Sequence, residues 1–178
     1  MPRTMLTDQH WSKLENIFRN FRIYLKQNLR NFIEAILYRI RTGCPWRDLP
    51  ASFGKPNSIF KKFSRWSKDN KLLKIFKLIS SDADLEWVFI DASHVRAHQH
   101  ATGIKDQAIS KSIGGNSSKI HLVVDSHGNP VQFLIEDGTT HDVKVAPKLI
   151  NSIDLNETEI LCADKGYDSE SLREQIEK

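Results

Sequence analysis

The stretch Trp87-Val88-Phe89-Ile90-Asp91 is an apolar run that ends in a carboxylate, and Ile160-Leu161-Cys162-Ala163-Asp164 has the same pattern. Short apolar runs of this kind predict buried strands. A carboxylate at the exposed end of a buried strand is costly unless it is paired, hydrated or bound to a cation. Each aspartate could simply mark a turn, because Asp is common in turns. Two of them at one end of a sheet would instead suit a shared divalent metal and metal-assisted phosphoryl transfer.

The charge of the chain is divided unequally along its length. The chain has 178 residues, of which 39% are hydrophobic and 27% charged, a composition that favours a packed core over global disorder. Residues 1–80 hold 17 Lys/Arg and 5 Asp/Glu, and residues 81–178 hold 9 and 17, so their net charges are +12 and −8. This split predicts two modules. The basic module would attract phosphate backbones, and the acidic module would need cations in order to bind DNA. The alternative for the basic half is a solvated surface on an ordinary helical domain.

The sequence predicts a cytoplasmic protein that does not enter a membrane. No apolar run approaches the roughly 20 residues that cross a bilayer. Asp8, His10 and Lys13 interrupt the N-terminus where a signal peptide would have its apolar core. Cys44 and Cys162 have no neighbours at metal-ligand spacing and are expected to be reduced thiols.

The first 80 residues are predicted to form a small helical bundle. Thr7 and Asn28 are candidate helix N-caps, and Gly43 is a candidate C-terminal stop. Apolar residues recur at helical spacing in four segments: residues 11–18, 29–40, 59–66 and 72–79. The third helix, expected to begin at Asn57 or Ser58, is strongly basic, as in helix-turn-helix DNA binders. Four of its residues are expected largely off its apolar face and are candidate contacts to DNA phosphates: Lys61, Lys62, Arg65 and Lys68.

From residue 81 onward the pattern predicts strands and helices in the order β-β-β-α-β-α. The predicted strands are residues 87–91, 118–125, 130–136 and 159–163, and the predicted helices are residues 142–153 and 170–178. The first three strands should form an antiparallel meander, and the fourth should lie parallel to the first through a right-handed crossover. Asp91 and Asp164 would then leave adjacent strands at the same end of the sheet, as a shared Mg²⁺ site requires.

Four blocks of sequence have a combined pattern that is more specific than any one of them. They are Arg-Ile-Arg-Thr-Gly-Cys-Pro-Trp-Arg-Asp-Leu-Pro at 39–50, Asp-Ala-Ser-His-Val-Arg-Ala-His-Gln-His at 91–100, Gly114-Gly115 with Lys119-Ile120-His121, and Ala-Asp-Lys-Gly-Tyr-Asp at 163–168. With these blocks the chain resembles, over essentially its whole length, the DDE-type bacterial insertion-sequence transposases of the insertion-sequence-five group.

The resemblance implies two domains and a reaction on DNA. Residues 1–80 would be a helix-turn-helix-like DNA-binding bundle, and residues 81–178 an incomplete ribonuclease H-like mixed sheet, so the chain is expected to be of α+β or α/β class. The implied activity is metal-dependent DNA cleavage and strand transfer. The implied partners are the terminal inverted repeats of the element and the target DNA. A homo-oligomer on DNA is left open.

The resemblance also implies roles for the two aspartates. Asp91 and Asp164 would be the first two members of a catalytic and metal-binding triad that uses Mg²⁺, or Mn²⁺ in its place. In the family the third member is a glutamate on a helix well beyond the second aspartate. The available glutamates fall instead in the helix directly after the fourth strand: Glu170, Glu174 and Glu177. We therefore expect a C-terminally truncated member with little or no strand-transfer activity of its own.

The segments around the two aspartates contain further candidates. Residues 91–100 read as a strand end followed by a polar loop. Three residues are candidate contacts to DNA phosphates, with ordinary solvated residues as the alternative: His94, Arg96 and Lys165. His94, His98 and His100 lie within seven residues, and His121, His127 and His141 follow, which leaves a zinc site as a further alternative. Tyr167 is expected to pack or to fix its loop.

Three functions therefore compete at the level of sequence. The leading one is a transposase remnant that lacks the third catalytic acid. The second is a non-catalytic DNA-binding protein that occupies element ends and inhibits the intact transposase. The third is a metal-dependent nuclease unrelated to transposition, which would cleave without preference for inverted-repeat ends.

Overall fold

The computed structural model describes residues 4–97, 108–112 and 115–177. The chain divides into two compact units, Met1–Ile79 and Ser80–Lys178. The first unit contains four α-helices and two short 3₁₀ helices: α1 Asp8–Asn20, α2 Leu29–Thr42, α3 Pro56–Lys68 and α4 Lys71–Ile79, with 3₁₀ turns at Trp46–Asp48 and Ala51–Phe53. None of the helices within the described residues is both long and apolar enough to span a membrane.

The boundaries of these helices follow local sequence signals. Thr7 caps α1, because its Oγ1 accepts a hydrogen bond from the backbone N–H of His10 at 3.1 Å. Gly43 ends α2 in the left-handed conformation, at a φ of 68° that favours glycine. Both predictions are confirmed. α3 begins at Pro56, one residue before the earliest expected start, because the fixed φ of proline suits a first helical turn.

The core of the first unit is largely aromatic. Phe18 and Trp66 are almost fully buried, with ring centroids 6.1 Å apart, and the Phe32 ring lies 5.1 Å from that of Trp66. These edge-on contacts stabilise the packing of three helices beyond the area that they bury. Ile40 belongs to the apolar stripe predicted for α2, but it is 70% exposed, so the buried stripe ends one turn earlier than its spacing predicts.

A buried carboxylate anchors the segment before α1. Glu34, on α2, is 2% exposed, and its two oxygens accept hydrogen bonds from the backbone N–H groups of Met5 and Leu6 at 2.8 and 2.9 Å. Two backbone donors satisfy a charge that would otherwise be costly to bury. This interaction ties α2 to a segment almost 30 residues away.

Within its described residues, the second unit contains a mixed five-stranded sheet, two α-helices and two short 3₁₀ helices. Its strands are β1 Trp87–Arg96, β2 Ser110–Ser112, β3 Gly115–Val124, β4 Pro130–Asp137 and β5 Ile160–Ala163, and its helices are α5 Asp142–Ile150 and α6 Glu170–Ile176. β3 pairs antiparallel with β1, β2 and β4, and β1 pairs parallel with β5. The α+β fold, the meander and the parallel fourth strand predicted from sequence are thereby confirmed, while β2 was not foreseen.

β1 is longer than the sequence predicts. The polar residues after Asp91 were expected to form a loop, but Ala92 to Arg96 stay in the strand and pair with residues 117–121 of β3. The backbone hydrogen bonds of this pairing do not depend on apolar side chains, so the alternation of apolar residues could not reveal it. His98 and His100, which belong to the same polar stretch, lie outside the described residues.

The two faces of the sheet differ in what covers them. Val88 and Ile90 are 0% and 3% exposed and pack in a cluster with residues of α5 and α6. Trp87 and Phe89, which alternate with them on the opposite face, are 41% and 38% exposed. We call this opposite face the open sheet face. The register of the strands assigns to it the following exposed apolar residues: Trp87, Phe89, Val95, Ile135 and Ile160.

Candidate active site

Asp91 and Asp164 follow one register pair of the sheet. In the parallel β1–β5 pair, Ile90 lies opposite Ala163. Asp91 and Asp164 are the next residues along the two chains, and neighbouring strands lie about 4.8 Å apart, so the two carboxylates start from adjacent backbone positions. Both residues are exposed. This proximity arises because a crossover through α5 returns the chain parallel to β1.

Each aspartate accepts a hydrogen bond from the amide that follows it. Asp91 Oδ1 accepts from the N–H of Ala92 at 2.7 Å, and Asp164 Oδ1 accepts from the N–H of Lys165 at 2.6 Å. Two solvent-accessible carboxylates fit Mg²⁺, which binds through a few carboxylates and retains several waters. Within the described ranges, no three or more His, Cys, Asp or Glu side chains are grouped so as to hold a metal.

A buried histidine–tyrosine pair lies beside the two aspartates. His121, on β3, is 0% exposed, and its Nδ1 lies 2.7 Å from the hydroxyl of Tyr167, which is 1% exposed. Burial lowers the pKa of His121, although the carboxylate of Asp142 raises it. Burial raises the pKa of Tyr167, and the charges of Asp142, Asp91 and Asp164 raise it further. Both rings are therefore neutral near neutral pH, and the tyrosine hydroxyl lies within electrostatic reach of both candidate metal ligands.

An ion pair completes this cluster. Asp142, the first residue of α5, lies with its Oδ1 2.5 Å from Lys119 Nζ and 3.7 Å from His121 Nδ1. The Asp142 and Lys119 side chains are only 17% and 12% exposed. A Cβ at Gly166 would lie 2.9 Å from Asp142 Oδ2, so glycine allows the turn after Asp164 to approach this carboxylate. We call Lys119, His121, Asp142 and Tyr167 the His121 network.

The sequence alone assigned no role to Asp142 and Lys119, and His121 entered only as one of the histidines of the zinc alternative. One signal was available for His121, because it lies two residues before the buried Val123 and thus on the inward face of an alternating strand. A polar ring at an inward position needs a partner. The identity of that partner, 46 residues further along the chain, could not be read from spacing.

The candidate DNA contacts of α3 divide into two groups. Lys61, Arg65 and Lys68 are exposed, as expected. The expectation that Lys62 lies off the apolar face is wrong: it is half-buried, with Nζ 4.2 Å from the ring centroid of Phe32. Its methylene stem can cover the core while its ammonium group faces the aromatic rings. Burial lowers the pKa of Lys62, and the positive charges of Arg65 and Lys26 lower it further.

The three candidates near the aspartates are all exposed. His94 and Arg96 lie on β1, opposite Lys119 and Ser117 of β3, and therefore belong to a strand rather than to the expected loop. Lys165 is the first residue of a short 3₁₀ helix, Lys165–Tyr167, that follows Asp164 directly. Their exposure leaves each of them accessible to a phosphate.

Comparison with known proteins identifies the class. The family described as "Transposase DDE domain" matches residues 83–178, more than half of the chain, and the family described as "Putative transposase of IS4/5 family" matches residues 6–76. The chain therefore belongs to the DDE transposase family, whose catalytic domains generally use a divalent metal.

The sequence is also similar to a curated protein. The uncharacterized protein y4sN of Sinorhizobium fredii (strain NBRC 101917 / NGR234) is 39% identical over 80 residues, which amount to 45% of this chain and 64% of that protein. The match thus spans less than two thirds of the relative. No solved structure matches the chain significantly.

Proposed function

We propose that this chain is a transposase polypeptide that binds the ends of an insertion sequence and carries two of the carboxylates for metal-dependent DNA cleavage and strand transfer. The observation that supports the proposal most strongly is the parallel register of β1 and β5, which brings Asp91 and Asp164 to adjacent positions. Membership in the DDE transposase family supports the same reading. Residues 1–80 would bind DNA, and residues 81–178 would contain the catalytic site.

Asp91 and Asp164 are the residues that would hold Mg²⁺ or Mn²⁺. A divalent ion bound there supplies activation of the attacking oxygen and stabilisation of the leaving oxygen in phosphoryl transfer. The side chains contribute negative charge at an exposed strand end, where both water and a phosphate can reach them. Lys165, His94 and Arg96 would contact DNA phosphates near this site.

The first unit has a concentration of positive charge that suits DNA. Lys61, Arg65 and Lys68 are exposed on α3, and the pKa of Lys62 is lowered first by burial and then by the positive charges of Arg65 and Lys26. A DNA phosphate beside these lysine and arginine side chains would offset the repulsion between their positive charges. Its binding would also release counterions from the DNA. A polar pocket of about 470 Å³ provides further donors, and its lining residues are Lys26, Gln27, Asn28 and Asn31.

We further propose that the chain alone has little strand-transfer activity. Among the described residues, Asp91 and Asp164 have no third acidic partner arranged for a metal. Loss of a group that merely supports metal ligands costs about 10–100-fold in affinity or activity, so a missing ligand should cost at least as much. The same observation favours a second candidate function, a non-catalytic protein that occupies element ends and inhibits an intact transposase.

Metal binding tests the proposed site directly. Mn²⁺ is titrated into the full-length protein, and paramagnetic broadening of amide NMR signals locates and quantifies binding. Asp91→Asn and Asp164→Asn should each weaken binding at least about 10-fold, while Asp154→Asn, an exposed residue in the loop before β5, should leave it unchanged. Absence of broadening near Asp91 in the wild-type chain would refute the site.

DNA assays separate the candidate functions. The protein is incubated with labelled inverted-repeat ends and with unrelated DNA of equal length, with and without Mg²⁺. Specific binding without cleavage supports the DNA-binding function of a chain that is inactive alone. Robust Mg²⁺-dependent cleavage of the ends would contradict the proposed inactivity, and cleavage without preference for the ends would favour a nuclease unrelated to transposition.

A further inference from the structure

We infer that His121 and Tyr167 are positioning residues, which hold the turn that carries Asp164 against the strand that carries Asp91. The inference rests on the proposed metal site. It gives the His121 network a structural role at the metal site. Two carboxylates alone would not require such a network.

One end of the bond is attached to Asp164. Asp164 caps the 3₁₀ helix Lys165–Tyr167, and the backbone N–H of Tyr167 donates to the carbonyl oxygen of Asp164 at 2.9 Å. The Tyr167 ring lies in the core, 1% exposed. Because a single tight turn joins the two residues, the packing of Tyr167 determines where the Asp164 backbone lies.

The other end of the bond is attached beside Asp91. His121 is paired in register with Ala92, the residue that follows Asp91 on β1. Its ring meets the Tyr167 ring edge-on, with centroids 5.8 Å apart, and its Nδ1 lies 2.7 Å from the tyrosine hydroxyl. The bond therefore connects the end of β5 to the middle of β1 through β3, independently of the four residue pairs of the β1–β5 ladder.

A second contact restrains the same turn. The Cα of Gly166 approaches Asp142 so closely that a Cβ would lie 2.9 Å from Oδ2. Asp142 is in turn fixed by Lys119, which lies opposite His94 on β1. The turn between Asp164 and Tyr167 is thus held from two sides by groups that are anchored on β3 and α5.

A buried hydrogen bond could also contribute only to stability, and the two roles predict different results. A purely structural bond would lower the unfolding temperature when broken and leave metal affinity unchanged in the protein that remains folded. A positioning bond would weaken metal binding and loosen the turn even in fully folded protein. Groups that orient metal ligands typically contribute about 10–100-fold to affinity.

The test uses the full chain with Mn²⁺ as the probe. Tyr167→Phe removes only the hydroxyl, and His121→Leu removes the ring nitrogens. We expect each to raise the Mn²⁺ concentration for half-broadening of signals near Asp91 and Asp164 about 10-fold. His121→Asn, whose amide can take the place of Nδ1, should restore part of the affinity. In the absence of metal, amide hydrogen exchange in residues 165–167 should accelerate in Tyr167→Phe.

Two control variants separate positioning from stability. Ile150→Val shortens a buried side chain of α5 outside the network, and Tyr38→Phe removes a tyrosine hydroxyl from the first unit. Both should keep wild-type Mn²⁺ affinity. Wild-type affinity in folded Tyr167→Phe, or equal losses in Ile150→Val and Tyr167→Phe, would overturn the inference. If the wild-type chain shows no Mn²⁺ binding at Asp91 and Asp164, the proposed function fails instead, so the two failures are distinguishable.

Discussion

His121 couples the stability of the second unit to pH. Its pKa in the folded chain is lowered, first by burial and then by the positive charge of Lys119, against the raising effects of Asp142 and Glu136. An unfolded histidine titrates near about 6.5. Below that pH the unfolded chain binds a proton that the folded chain does not, so the contribution of this group to stability is present above about pH 6.5 and is lost as the pH falls further.

We therefore expect His121→Asn to flatten the pH dependence of stability. Urea unfolding of the second unit is measured at about pH 7.5 and about pH 5.5, on either side of the ordinary histidine pKa. The wild-type chain should lose more stability between these two pH values than His121→Asn does. His127→Asn, which alters an exposed histidine of the β3–β4 turn, should behave as wild type. Equal pH dependence in all three proteins would contradict the prediction.

Glu34 should be essential to the stability of the first unit. Its two oxygens accept hydrogen bonds from the backbone N–H groups of Met5 and Leu6, and Arg30, also on α2, adds a hydrogen bond to the carbonyl oxygen of Leu6 at 3.0 Å. We expect Glu34→Ala to reduce the free energy of unfolding by about 1–3 kcal/mol, because two backbone donors lose a charged acceptor. Thermal unfolding followed by circular dichroism measures the loss. Asn16→Ala, at an exposed position of α1, should change stability much less.

At the scale of secondary-structure elements, α3 is expected to set the salt dependence of DNA binding. Each phosphate contact contributes about 0.9 to the slope of log affinity against log salt concentration. Lys61→Gln and Arg65→Gln should each reduce the slope by that amount, whereas Lys13→Gln on α1 should leave it unchanged. Fluorescence anisotropy with labelled DNA over a series of salt concentrations provides the slopes. Unchanged slopes in the α3 variants would show that α3 does not contact the DNA phosphates.

The elements that were predictable from sequence are those with a local or topological signal. The parallel alignment of β1 and β5 followed from the helix between them and the preferred hand of such crossovers. The extension of β1 beyond Asp91 was not predictable, because its polar residues are held by backbone pairing with β3. Lys62 was misplaced because helical periodicity treats every lysine as polar and solvated, whereas the ammonium group of Lys62 lies over the Phe32 ring.

The candidate site was predictable only in part. The two aspartates could be found because each ends an apolar run. The contact between His121 and Tyr167 joins residues that no spacing rule relates, and their burial depends on the packing of α5 and α6 against one side of the sheet. Such long-range polar contacts are decided by tertiary structure, which local patterns do not encode.

At the scale of the whole molecule, we expect the open sheet face to promote association between molecules. Its apolar residues include Phe89, Val95 and Ile135, which are 38–50% exposed. Exposed contiguous apolar surface promotes association. We expect Ile135→Thr to lower the binding of a hydrophobic dye and the rate of aggregation while changing the unfolding temperature little. Val123→Thr, at a fully buried position on the covered side, should instead destabilise the unit by about 1–3 kcal/mol, because it buries a hydroxyl group.

The hydrogen bonds that Asp91 and Asp164 accept from their own neighbouring amides have a consequence for ion selectivity. Each carboxylate already uses one lone pair of its Oδ1 to accept a hydrogen bond from the amide of Ala92 or Lys165, and this bond restrains the rotation of the carboxylate. Calcium takes six to eight oxygen ligands and often coordinates both oxygens of a carboxylate. Magnesium coordinates single carboxylate oxygens in a compact octahedron. At the proposed metal site, two carboxylates with restrained orientation would thus suit single-oxygen coordination of magnesium better than the flexible coordination of calcium.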